Sequence, residues 1–179
     1  MELTATYVVS QIFTISMYVL LATTYYMKDR KKVLVVNFLA TISIAIAYIL
    51  LGAWSGFAMC IVGIIRNLIF LLDEKKNGKR EYINKTDINI LSIIYLITLI
   101  CAIFTYQGAL SLLSVFATML YTYSVWQKKI NIYKLLGIPT GILWVAYNTY
   151  IMSIFGIILE STLLICSATG YILENRKTK

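Results

Sequence analysis

Two charges lie well inside apolar sequence, Arg66 and Glu160, and any chemistry this chain performs has to be sought around them. A charge at the centre of a bilayer costs at least ~3 kcal/mol even on insertion scales, so an intramembrane ionisable group is a functional candidate by default. Glu160 has a short stem and sits about 12 Å below Met152 along its helix. An unpaired carboxylate there would protonate or find a cation, so it must face protein polar groups or water. Arg66 lies about 18 Å below Trp54 and can snorkel toward the interface, or bridge the roughly 6 Å of height separating it from Glu160. The two residues therefore read as a gate or structural ion pair, or Glu160 meets substrate or a proton in a wet cavity. The cavity role is the favoured reading. Trp144 and Asn148, four residues apart, offer a ring face and an amide to one side of a helix, which suits a planar or hydroxylated solute. Gln11 and Asn67 add two further amides, completing a candidate substrate-binding set of Glu160, Trp144, Asn148, Gln11 and Asn67. Pro139 removes one helical hydrogen bond and marks a hinge or a static kink.

Other chemistries are excluded by what is missing. The chain has no histidine, and its three cysteines, Cys60, Cys101 and Cys166, are dispersed in apolar runs. Zinc sites of His or Cys type, Ser-His-Asp triads and Cys-His dyads are ruled out, and an odd, scattered cysteine set is no disulfide framework. The acidic residues between 28 and 87 flank apolar runs instead of pairing within one. No enzyme activity, metal or cofactor is expected, and the last apolar segment has no lysine for a retinal-type chromophore.

The elements that must position these residues follow from composition. The chain has 179 residues, of which 60% are hydrophobic and only 13% charged, with mean hydropathy +0.79. A soluble domain runs nearer half apolar and a quarter charged, so this is a multi-pass membrane protein. A helix needs about 20 apolar residues to span the hydrocarbon core. Reading from charge to charge gives seven spans, at 5–27, 33–51, 54–72, 88–105, 108–126, 132–149 and 152–173. The formal net charge of +8 reflects orientation, not nucleic-acid binding. Along a seven-helix zigzag, 15 of the 16 basic residues fall on one side, and short loops of that kind face the cytoplasm. The expectation is an all-α bacterial inner-membrane protein with its N-terminus outside and its C-terminus in the cytoplasm.

Internal correspondence divides the seven helices. Gln11, Thr14 and Tyr18 fall on Ser111, Ser114 and Thr118 at a shift of 100, as do Asn67 on Ser167 and Glu74 on Glu174, while Ala47-Tyr48 falls on Ala146-Tyr147 at 99. The expected plan is 3-1-3. Residues 1–72 form a first three-helix repeat, 73–106 a cytoplasmic loop and connector helix, and 107–179 a second repeat with a basic tail. An odd connector lets both triplets run in the same direction. Polar stripes at steps of three and four, such as Tyr7, Gln11, Thr14 and Tyr18, mark the inward faces. For their Ser, Thr and Gly members, close helix packing is the favoured role over cavity lining.

Leu51-Gly52 with Gly56 and Ile65-Arg66, Trp144-x-x-x-Asn148, and Ser153-Ile154-x-Gly156-x-x-x-Glu160 resemble the YgjV family of bacterial inner-membrane proteins. That family's helix plan is similar to the SWEET and semiSWEET sugar transporters and the PnuC vitamin transporters. The resemblance implies facilitated movement of a small polar metabolite by alternating access between two triplets. SWEETs carry hinge prolines in several helices, whereas here Pro139 stands alone, opposite Ala40 at a shift of 99, and Gln11 follows Ser10, so no Pro-Gln motif is present. The expected partners are the lipid bilayer and a small polar solute, with self-association into a homo-oligomer left open and nucleic acid excluded. The alternative is a membrane sensor or assembly protein that moves no solute.

Overall fold

The computed structural model describes residues 5–52, 54–77, 83–104, 106, 112–150, 152 and 154–176. Seven α-helices account for nearly all of them: α1 Ala5–Thr24, α2 Arg30–Leu50, α3 Trp54–Asn77, α4 Lys85–Phe104, α5 Leu112–Trp126, α6 Ile130–Tyr150 and α7 Ile154–Arg176. Four of these stretches, Ala5–Thr24, Arg30–Leu50, Lys85–Phe104 and Gly156–Arg176, are long and apolar enough to cross a bilayer. The chain is an all-helical, multi-pass membrane protein. Its exposed surface is rich in large apolar side chains, such as Ile12, Ile93, Ile103 and Ile165, as expected where lipid takes the place of water.

Several helices extend past the apolar runs that mark them in the sequence. α2 begins at Arg30 instead of 33, α3 continues to Asn77 instead of 72, α6 begins at Ile130 instead of 132, and α7 reaches Arg176 instead of 173. Apolarity delimits the stretch that meets lipid, whereas the helix persists wherever its polar side chains find partners. The start of α2 shows the local reason. Asp29 is an N-cap in extended conformation (φ −99°) and accepts from the Lys31 backbone N–H at 3.0 Å, satisfying one of the four donors a helix start leaves over. α1 instead ends early, at Thr24, where Tyr25, Tyr26 and Met27 turn back with hydrogen bonds to the carbonyls three residues before them.

The chain divides into two compact units, Met1–Gly78 and Lys79–Lys179. In the first, α2 packs against both α1 and α3. In the second, α6 packs against both α5 and α7, and α4 lies more lightly along α5. Small residues set the closest approaches, as they do generally between membrane helices. A methyl group at Gly63 would lie 3.2 Å from Thr41 Cγ2, and one at Gly141 would lie 3.1 Å from Leu164 Cβ.

Within each unit the same internal features recur 100 residues apart. The buried positions Val33, Leu34, Asn37 and Ala40 of α2 have buried counterparts Tyr133, Lys134, Gly137 and Thr140 in α6. Thr24 and Ser124, both fully buried, each donate to the carbonyl three residues back, at 2.6 Å and 2.7 Å. Gly52 and Met152, just beyond α2 and α6, both take positive φ, +65° and 55°. The middle helices thus correspond at 100, not at the 99 that Ala47-Tyr48 and Ala146-Tyr147 indicate. Pro139 consequently corresponds to Leu39, and Ala40 to Thr140. The reason is that burial, set by the neighbouring helices, fixes which residues are equivalent, and two identical letters in apolar sequence do not.

Candidate functional site

In the first unit, α3 presents Arg66 and Asn67 toward α2. Asn67 is fully buried and Arg66 is 7% exposed. The Asn67 amide donates to the Asn37 carbonyl at 3.3 Å and to Thr41 Oγ1 at 2.9 Å. Its Oδ1 accepts from Arg66 Nε at 3.3 Å. Thr41 in turn donates to the Asn37 carbonyl at 2.8 Å. Helical spacing explains the cluster, since Asn37 and Thr41 lie one turn apart on the same face of α2. Gly63 stands one turn before Asn67 and keeps the helices close enough for these bonds. A guanidinium with its Nε–H donated to an amide is held in orientation, because its fork is planar and rigid. Gln11 lies half-buried on α1, with its Nε2 3.4 Å from Ser10 Oγ.

In the second unit, Trp144, Asn148 and Glu160 are all half-buried. Asn148 donates from Nδ2 to the Trp144 carbonyl at 2.9 Å. The Trp144 ring meets Tyr147 edge to face, with centroids 5.8 Å apart, a favourable aromatic geometry. Asn148 therefore spends one donor on its own helix and keeps its Oδ1 for other donors. Glu160 lies in the second turn of α7. The corresponding residue of the first unit is Cys60, a buried thiol, so the carboxylate is peculiar to the second unit. Pro139 sits inside α6 on its exposed side, and the helix runs unbroken from Ile130 to Tyr150 around it.

The structure thus joins Arg66 to Asn67 and Asn148 to the Trp144 backbone. It also reveals partners for polar residues that sequence reading does not pair. Arg30 Nη1 lies 3.4 Å from Glu74 Oε2, both side chains being buried. Lys134 Nζ lies 2.9 Å from Glu174 Oε2, with the lysine 1% and the glutamate 20% exposed. Ser167, the counterpart of Asn67, donates to the Lys134 carbonyl at 2.6 Å. A third buried pair, Asp87 with Lys128 at 3.6 Å, ties α4 to the α5–α6 link. Asp87 Oδ2 also accepts from the Asn84 backbone at 2.8 Å, and its carbonyl accepts from Trp126 Nε1 at 3.0 Å. The available sequence signal was the shared face of Tyr133, Lys134, Gly137 and Gly141, which places Lys134 on a packing stripe and not in a loop. Among the described residues no group of three His, Cys, Asp or Glu side chains could hold a metal ion.

A family model described as a bacterial inner membrane protein, Imp-YgjV, matches residues 8–177. The chain belongs to this family. Imp-YgjV membership and the apolar helices together place it in the bacterial inner membrane as a multi-pass protein. No curated protein and no solved structure matches the chain.

Proposed function

We propose that this Imp-YgjV protein is a transporter that moves a small polar metabolite by alternating access between two parallel triple-helix bundles, α1–α3 and α5–α7, with α4 as connector. The observation that carries this reading is the recurrence of one internal construction at 100-residue spacing. In each unit a middle helix bears on its two neighbours, a buried polar residue at position 67 or 167 clips the outer helix to its backbone, and a glutamate at 74 or 174 takes a cation from it. Duplicated triplets are an architecture of membrane transport when an axis along the membrane normal relates them. Gln11, Asn67 and Arg66 of the first triplet and Trp144, Asn148 and Glu160 of the second are the residues assigned to the solute path. Arg66 is its cytoplasmic gate and Glu160 its charged contact. The N-terminus is outside and the C-terminus cytoplasmic, on the charge distribution.

The test begins with purified protein and a panel of sugars, nucleosides and vitamins, scored by ligand-dependent thermal stabilisation, since any binder of the native state raises its apparent stability. A stabilising solute is then assayed for flux in proteoliposomes. Glu160→Gln is expected to abolish that flux while leaving folded yield intact. Loss of folded protein in Glu160→Gln, restored by also neutralising Arg66, would show a structural ion pair and remove Glu160 from the path. A cysteine at position 160 that no membrane-impermeant thiol reagent reaches from either side, with no solute moved, would favour a sensor or assembly protein instead.

A further inference from the structure

Lys134 is the most deeply buried charged side chain among the described residues, and its place in the fold does not call for a charge. The corresponding residue of the first unit is Leu34, equally buried at 1% exposure. There the glutamate at position 74 receives its cation from Arg30, at the first position of α2. The second unit has the same glutamate, at 174, but buries an ammonium a full turn into α6 to meet it. Taking an ammonium out of water is costly, and pairing with one carboxylate recovers that cost only when the remaining donors are also satisfied. Lys134 makes one side-chain hydrogen bond among the described residues, to Glu174 Oε2 at 2.9 Å, from three N–H donors. One turn earlier on the same face of α6, Asn131 Oδ1 is a buried acceptor with no donor. Side chains at that spacing are neighbours on a helix surface. Glu174 is the more exposed member of the pair, at 20% against 1% for the lysine.

We propose that Lys134 is an anion-binding residue whose counter-ion is exchangeable: Glu174 holds the ammonium when no ligand is bound, and a carboxylate or phosphate group replaces it. Asn131 Oδ1 accepts a hydroxyl of the same ligand, so the chemistry is that of a small oxyanion carrying an O–H, such as a hydroxy acid or a hydrogen phosphate. The assignment rests on the transport reading only in making this anion the cargo. The anionic group itself comes from a free solute or from a lipid headgroup.

The experiment uses the full chain, purified in neutral detergent, with phosphate and malate as probes and chloride at matched ionic strength as control. Phosphate or malate at about a hundred times its Kd is expected to raise Tm by about 5 °C or more. Lys134→Leu places the side chain of the first unit at this position, though without the arginine that pairs the glutamate there, and is expected to lose the anion-dependent shift. Glu174→Gln removes the internal competitor, and the same shift should appear at several-fold lower anion concentration. That gain is what a purely structural ion pair would not produce. Equal shifts in wild type and Lys134→Leu, or weakened anion response in Glu174→Gln, would overturn the assignment. If Lys134→Leu fails to fold, the Glu174→Gln response alone decides. In nanodiscs, stabilisation by phosphatidylglycerol over phosphatidylcholine that is lost in Lys134→Leu assigns the anion to a headgroup, and a free-anion response in phosphatidylcholine assigns it to a solute. No response to either kind of anion refutes the site. A neutral metabolite that is transported while no anion binds would sink this inference and leave the transport reading standing; anion binding without flux would do the reverse.

Discussion

Replacing Asn67 with alanine should destabilise the protein several times more than replacing its counterpart Ser167, although the two residues hold the same place in their units. Asn67 makes three hydrogen bonds between or within helices: to the Asn37 carbonyl, to Thr41 Oγ1 and from Arg66 Nε. Ser167 makes one, to the Lys134 carbonyl. Side-chain hydrogen bonds between membrane helices average about 0.6 kcal/mol, because the unfolded helices also find partners in the bilayer. Two such bonds plus one to a charged group, at about 1.5 kcal/mol, put Asn67→Ala at about 2–3 kcal/mol. Ser167→Ala should cost about 0.6 kcal/mol. Reversible unfolding in mixed micelles, followed by helical circular dichroism, measures both differences. Equal costs for the two variants would refute the reasoning, since they would show that helix packing and not the amide network holds α3 against α2.

Two further outcomes follow from backbone geometry and close approach. At Gly52, φ is +65° and a methyl group would meet nothing within 4 Å, so Gly52→Ala should cost about 1–2 kcal/mol through backbone strain alone. Met152→Gly, at φ 55°, should stabilise by about 1 kcal/mol or less after the added freedom of the unfolded chain; thermal unfolding of the pair checks both signs. Gly141→Ala sets about 1 kcal/mol of helix propensity against overpacking of about 1–3 kcal/mol. The intruding methyl would lie 3.1 Å from Leu164 Cβ and 3.4 Å from its Cα, atoms that cannot rotate aside. Overpacking should win, and a raised Tm for Gly141→Ala would contradict it.

The membrane class, the helical architecture and the YgjV likeness were all legible in the residues, because apolar runs of spanning length have few other meanings. The polar architecture was not. Hydropathy averages a residue with its neighbours in sequence, whereas the partner of Glu74 is Arg30 and that of Glu174 is Lys134, each some forty residues away. Arg30, Glu74 and Glu174 fall outside the apolar spans and are nonetheless helix residues with buried partners. The register of the middle helices shows the same limit. Ala-Tyr repeats at 99, but the positions that face neighbouring helices repeat at 100, and facing is a property that only packing defines. Asn67 stood out as polar in an apolar run, yet nothing in the sequence names Asn37 and Thr41 as the groups that bind it.

The anchoring of α4 has a consequence for how the protein is made. Asp87, in the first turn of that helix, is buried against Trp126 and Lys128, and the indole it binds lies 39 residues further along the chain. At bacterial translation speeds those residues emerge about 2–8 seconds later. During that interval the Asp87 carboxylate caps its own helix start through the Asn84 N–H, and its charge keeps that end of α4 at the wet face of the membrane. The end of α5 and the link after it then deliver the Trp126 indole to the Asp87 backbone carbonyl and the Lys128 ammonium to its carboxylate. The acid that first holds the helix end at the surface becomes, once its partners arrive, the group that docks it.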